Sequence, residues 1–165
     1  MIDTFSMICE FSIGLAGFTG IVAIFSGDEI AVSPVIRFRV RNLLLCAFVP
    51  GFFGLSALGL IDFGVSTQLV AFYGSIAIFA FLSIWGPLSG LETRRFPEES
   101  KQELDKIIFV FTGSAIVFNL AVQAYGFLFS DGLGIFVGGL ILLLFQGAVF
   151  FGALIFQLLD KRAGT

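Results

Sequence analysis

The sequence predicts an all-α polytopic membrane protein: a bundle of five transmembrane helices, with the N-terminus outside and the C-terminus cytoplasmic. Three observations predict it. Hydrophobic residues make up 58% of the chain and charged residues only 13%, against roughly 25% charged in soluble domains. Such a chain cannot cover its surface with polar groups, and its natural solvent is lipid. Five apolar runs divide it, each long enough at about 1.5 Å per residue to cross a hydrocarbon core of ~30 Å. All nine basic residues then fall in alternate connecting segments, the pattern expected when those segments share one side of a membrane.

The first run covers about 4–26 and is interrupted only by Glu10. Ser12, Ala16 and Gly20 follow at spacings of four, a small-residue ladder that lets another helix come close. The run ends at Gly27-Asp28-Glu29. Ser33 and Pro34 then form a good helix start, as N-cap and first helical residue. Arg37, Arg39 and Arg41 follow, with Arg37 and Arg41 on one face, and are expected at headgroup level as contacts for anionic lipid. The second run covers about 42–61. Pro50 in its middle removes a backbone bond and predicts a kink, and Asp62-Phe63-Gly64 closes it as a tight turn.

The third run, about 66–89, carries Tyr73 near its start and Trp85 near its end, where an interfacial indole is expected. Residues 91–106 form the one substantial polar segment. Pro97, Glu98 and Glu99 read there as the first turn of a helix, and Lys101 and Asp105 are spaced to pair. The fourth run, about 107–129, has Asn119 and Gln123 one turn apart on one face. Ser130-Asp131-Gly132 leads into the fifth run, about 133–159, with Gly134 and Gly138 as a second small-residue pair, Gln146 near the middle and Gln157 near the end. The whole of 1–165 reads as a single transmembrane domain.

Arg37, Arg39, Arg41, Arg94, Arg95, Lys101, Lys106, Lys161 and Arg162 all lie on the side that this rule makes cytoplasmic. The opposite side carries Asp3, Asp62 and Asp131 and no base, a mildly negative mouth that favours cations. The N-terminus has no positive region and no small-residue cleavage site, so no cleavable signal is expected.

Several function classes are excluded or disfavoured. The chain has no His, so imidazole-bound haem, chlorophyll or copper is not expected. Cys9 and Cys46 lie inside predicted spans without zinc or redox spacing and read as packing residues. No cofactor and no metal site is expected. The net charge of −3 gives no footprint for nucleic acid. No nucleophile stands beside a base, and there is neither an HExxH motif nor a phosphate-cradling Gly-Lys-Ser/Thr loop. The chain therefore reads as a non-enzyme.

Glu10 is the candidate functional residue, and it has three readings: a group that hydrogen-bonds across helices and fixes their packing, an ion or proton site, or a contact for a partner membrane subunit. A charged side chain in hydrocarbon is costly and should face protein or water. Counting along the spans places Glu10 ~9 Å below the outer surface, with Gln123 at the same depth, Tyr73 at ~10 Å and Asn119 at ~15 Å. Glu10, Tyr73, Gln123 and Asn119 thus form a candidate ion or proton site, provided the first, third and fourth helices pack together. The leading expectation is a small homo-oligomeric cation or proton channel. The alternative is a non-catalytic accessory or scaffold subunit of a larger membrane complex. The partners expected are the lipid bilayer and either a second copy or another membrane subunit.

The pattern Glu10-x-x-x-x-Leu15-Ala16-Gly17-Phe18-x-Gly20-Ile21 resembles the opening of a loose class of uncharacterised small bacterial inner-membrane proteins. The resemblance covers the first span and the arginine-bearing segment after it. It implies a multi-pass protein of a bacterial inner membrane and no particular activity.

The orientation has a direct test. In a chain whose two native cysteines have been replaced, Asp3→Cys and Arg94→Cys are expected to react with an impermeant thiol reagent from opposite sides of the membrane. Labelling of both from one side would sink the five-span arrangement.

Overall fold

Hydrocarbon offers no water to bond backbone N–H and C=O groups, so an apolar chain satisfies them within itself, as helix. The computed structural model describes residues 2–25, 33–97, 106–129 and 132–163. These form five helices and no strand: α1 (Ile2–Phe25), α2 (Pro34–Asp62), α3 (Thr67–Arg94), α4 (Lys106–Phe129) and α5 (Leu133–Ala163). Four are long and apolar enough to cross a membrane, through Asp3–Ile24, Pro34–Asp62, Thr67–Arg94 and Leu133–Gln157, while α4 contributes the shorter apolar stretch Val110–Gly126.

Two helices extend beyond their apolar runs, the first of them from the predicted Ser33-Pro34 start. α2 begins at Pro34, so the arginine-bearing lead-in belongs to the same helix as the apolar run. Ser33 caps it, its Oγ accepting from the Ile36 N–H at 3.4 Å. α3 passes through Gly86-Pro87 and ends only at Arg94. α2 also runs unbroken through Pro50, which is buried. The expected helix start at Pro97-Glu98-Glu99, apart from Pro97 itself, lies outside the described residues. So do the Lys101–Asp105 pair, the 27–29 turn, and Ser130 and Asp131.

The α2–α3 turn is fully accounted for. Gly64 takes φ 84°, a left-handed conformation that a side chain disfavours. Its N–H bonds to the Ile61 carbonyl at 2.9 Å, and the Val65 N–H bonds to the Leu60 carbonyl at 3.0 Å. This pair of bonds is the Schellman arrangement, which satisfies carbonyls left open at a helix end. Ser66 then caps α3, accepting from the Leu69 N–H at 3.4 Å.

α5 packs against all four other helices. Its buried residues Phe136, Leu140, Leu143, Gly147, Phe150 and Leu154 recur at alternating intervals of four and three, one continuous face of a helix. α1 runs parallel to α5: Phe5 meets Phe136 (ring centroids 6.0 Å apart) and Phe18 meets Phe151 (6.1 Å). α1 also lies antiparallel along α2 in a seam of small residues. A Cβ at Gly51 would come within 2.9 Å of the Ser12 Cβ, and one at Gly54 within 3.1 Å of the Cys9 Sγ. α3 approaches α5 where Gly74 faces the Phe136 ring, and α3 meets α4 where Gly86 faces Ile116.

The predicted small-residue ladders are used only in part. Ser12 is buried against Gly51, Ala16 is half-buried and Gly20 faces outward with open space around it. Steps of four residues drift about 40° each around a helix of 3.6 residues per turn, so the ladder leaves the seam by its third rung. Gly134 and Gly138 also face outward, and the inward glycine is their neighbour Gly139.

Gly139→Ala is therefore expected to destabilise the bundle by about 1–3 kcal/mol, because its Cβ would overlap the Gln123 amide and break buried hydrogen bonds. Gly138→Ala, in open space, should stay within about 0.5 kcal/mol of wild type. Thermal unfolding of the two variants in detergent checks the difference.

Candidate functional site

Buried polar groups in lipid must find partners or weaken the fold; the amide nitrogens between α4 and α5 find them, while the Gln123 and Gln146 Oε1 atoms are buried without one among the described residues. The Asn119 Nδ2 donates to the Gly139 carbonyl of α5 at 3.1 Å. The Gln123 Nε2 donates to the Ile135 carbonyl of α5 at 3.1 Å and to the Asn119 Oδ1 at 3.3 Å. Gln146 answers from the other side, its Nε2 donating to the Thr112 carbonyl of α4 at 3.2 Å. All three amides are buried. Side chains replace no backbone bonds here; they add bonds to carbonyls already in helices. Each such bond between membrane helices contributes about 0.6 kcal/mol on average, so the set chiefly fixes how α4 sits on α5.

Glu10 is not part of that set. Its side chain is exposed on the outer face of α1. It lines a shallow groove of about 400 Å³ with Phe11, Gly14 and Phe18 of α1, opposite Leu144 and Ala148 of α5. Tyr73 is exposed on α3, where it lines a different groove of about 380 Å³ with Phe52 and Leu60 of α2. Gln123 and Asn119 are enclosed between α4 and α5. The four candidate residues therefore do not converge. The depth count carried no information about angle, and α1 packs mainly on α2 and α5 rather than beside α3 and α4. The inward positions of α3 are Ala71, Ser75, Ile78, Leu82 and Trp85, and Tyr73 falls between them.

The three arginines of α2 also separate. Arg37 and Arg41 are exposed, whereas Arg39 is only 5% exposed. Two residues along a helix is about 200° around it, so Arg39 points to the opposite side, into the bundle. Its Nη1 donates to the Gln157 Oε1 at 2.6 Å and approaches the Ala153 carbonyl at 3.4 Å, both on α5. The expected headgroup contact is thus replaced, at Arg39, by a tie between α2 and the far end of α5. Arg41 forms an ion pair with Glu92 of α3. Beside Arg41, the Asn42 Oδ1 accepts from the Trp85 Nε1 at 3.0 Å, and Trp85 stacks on Phe81 at 5.7 Å. Phe38 and Phe96 meet edge to face at 5.8 Å.

Arg39–Gln157, Asn42–Trp85 and Arg41–Glu92 together make a polar layer joining α2, α3 and α5 at the basic end. Sequence reasoning noticed Trp85 and the arginines but not their partners. The available signal was the helical angle of Arg39 and the presence of Asn42 directly after the arginine cluster. No group of metal-ligating side chains occurs among the described residues.

The long apolar helices, the polar groups tied inward, and the exposed Met7, Phe11, Phe52, Phe118 and Phe156 define a small integral membrane protein. Comparisons with protein-family models, curated proteins and solved structures found no match.

The polar layer is testable. Gln157→Leu leaves the buried Arg39 with fewer acceptors and is expected to cost about 1.5–3 kcal/mol. Arg41→Gln removes only a half-exposed pair and should cost no more than about 1 kcal/mol. Unfolding midpoints in detergent should rank the two variants in that order.

Proposed function

We propose that the protein is a non-catalytic accessory subunit of a larger complex in a bacterial inner membrane, docking onto a different membrane protein through the exposed face of α1. The observation that carries this reading is Glu10, an acid on a surface otherwise made of Met7, Phe11, Ile13, Phe18 and Ile21. A charged residue in a membrane helix costs up to about 2.5–3.5 kcal/mol on insertion scales, the full value applying at the centre, and a polar partner offsets the cost. A second copy is a poor partner. Every base in the sequence lies within 37–41, 94–106 or 161–162, toward the other end of the helices, so like copies would bring acid against acid. A transmembrane helix of another protein, with Lys, Arg or an amide at matching depth, supplies what is missing. Gly14, Gly17 and Gly20 have nothing within 4 Å of a Cβ position, which leaves room for that helix's backbone to come close.

The reading includes the cytoplasmic C-terminus, from the distribution of bases, and α4 as a fifth span. A second reading is a homo-oligomeric cation or proton channel. The same open glycines favour it, since copies packed through α1 would gather Glu10 carboxylates around an axis that attracts cations. Its path would have to run between copies. Within one chain the interior is filled by Phe5, Ile36, Leu43, Ile78, Leu82 and Leu140, none more than 1% exposed.

Three measurements separate the readings. The purified protein is expected as a single protomer by native mass spectrometry, and proton or cation flux in liposomes should not exceed that of protein-free vesicles. From native membranes, a partner of fixed stoichiometry should accompany the wild type and be lost with Glu10→Gln and with Gly17→Leu at unchanged expression. A symmetric oligomer whose flux falls with Glu10→Gln would replace the subunit reading with the channel.

A further inference from the structure

The basic end of the cleft between α2 and α3 holds a cavity of about 590 Å³ that the preceding reading does not use. Its walls differ in chemistry along its length. Arg41, Arg95 and Glu92 line it together with Trp85, Ser89 and Leu45. Two guanidinium groups against one carboxylate leave an excess of one positive charge. Arg41 spends part of its charge on Glu92, but both side chains of that pair remain partly exposed, at 47% and 37%, so Arg41 retains donors to offer. Arg95 is exposed just past the end of α3, held there by its backbone N–H bonding to the Glu92 carbonyl at 3.0 Å. Among the described residues it makes no ion pair.

An independent observation points to a ligand. Ser89 lines the cavity, is only 9% exposed, and its Oγ has no hydrogen-bond partner among the described residues; the Ser12 Oγ and Ser75 Oγ are likewise unpartnered there, but neither residue borders this cavity. A buried hydroxyl left unmatched weakens the fold, and an oxygen-rich guest in the cavity would satisfy it. The remaining walls, Leu45, Leu88 and Leu91, suit a hydrocarbon stem. Trp85 is fixed as a wall by its bond to Asn42 and its stacking on Phe81.

We propose that this cavity binds an anionic phospholipid from the leaflet at the basic end. Arg41 and Arg95 hold its phosphate, Ser89 donates to an ester oxygen, and one acyl chain lies along Leu45 and Leu88. The site is built from two helices and is distinct from a run of arginines on one. Arg37 takes no part and Arg39 is turned away. A zwitterionic lipid fits less well, because its ammonium group would meet two guanidinium groups. The guest also explains why the α2–α3 cleft stays open beside its ion pair: the hydrocarbon fills the wedge that the leucines leave.

The chain's single tryptophan lies in the wall of the site, which makes it a built-in probe. Wild-type protein in nanodiscs of constant lipid content would be titrated with phosphatidylglycerol brominated on its acyl chains, and separately with brominated phosphatidylcholine. The phosphatidylglycerol should quench Trp85 fluorescence at lower mole fraction. Arg95→Gln and Arg41→Gln should each weaken that preference roughly fivefold, and the double variant should abolish it. Glu92→Gln should keep it. Should Arg41→Gln fail to fold, Arg95→Gln, which alters only an exposed side chain, carries the test alone. Equal quenching by both lipids, or a preference unchanged in Arg95→Gln, overturns the proposal. Full competition by inorganic phosphate overturns it as well, since the site would then recognise a free anion rather than a lipid.

Discussion

Everything in this bundle depends on how closely the other helices can approach α5. Lipid provides no hydrophobic drive to push helices together, since a leucine is as well solvated by acyl chains as by another leucine. Contact must come from close packing and from polar bonds. Glycine supplies the first: Gly139 admits the Gln123 and Asn119 amides of α4, and Gly147 receives Leu15 of α1 and Cys46 of α2. The second follows from the first. The amides reach backbone carbonyls of α5 at 3.1 Å only because no side chain stands between. Gly74 does the same for α3 by leaving room for the Phe136 ring. Phe136 in turn packs on Phe5, so one aromatic side chain joins α1, α3 and α5.

The polar residues divide into two kinds by where that packing leaves them. Asn119, Gln123, Gln146 and Arg39 point inward and are bonded to neighbouring helices, so their presence is explained by the bundle itself. Glu10 faces outward on α1, and the Arg41–Glu92 pair that ties α2 to α3 borders a cavity open to the outside. The acid on the outer face of α1 and the basic cleft are the two features for which a complement outside the chain is proposed. The two lie toward opposite ends of the helices and call for different chemistry. The acidic side suits a polar group on another helix, and the basic side suits a phosphate on a lipid. Such surfaces can confer specificity, because an unmatched charge in a medium of low dielectric discriminates strongly among partners.

The fold was legible in the sequence to the extent that it follows from solvent. Five apolar runs, the Ser33-Pro34 helix start and the turn at Gly64 each depend on local chemistry: length against bilayer thickness, a capping hydroxyl, a glycine free to take positive φ. Helix ends were read less well. α3 runs on past its apolar stretch to Arg94, because a helix does not stop where hydrophobicity stops. Charged residues continue it into the headgroup region, where water takes over their solvation. The candidate site was least legible. Glu10, Tyr73 and Gln123 share a depth by residue count, but depth is one coordinate of three, and the rotation of each helix decides whether equal depths meet.

The sequence by itself determined that this chain dissolves in lipid as long helices, and that its bases gather at alternate connections, because composition and spacing carry that information in one dimension. Only the tertiary structure decided which face of each helix turns inward. That choice rests on one-residue differences in angular position: Gly139 rather than Gly138 against Gln123, Arg39 rather than Arg37 against Gln157, Ala71 and Ser75 rather than Tyr73 in the core. A step of one residue is about 100° around a helix, and an apolar helix in an apolar solvent has no amphipathic stripe to say which way it faces. Close contacts between particular glycines and particular side chains made that decision, and with it left Glu10 on the outside.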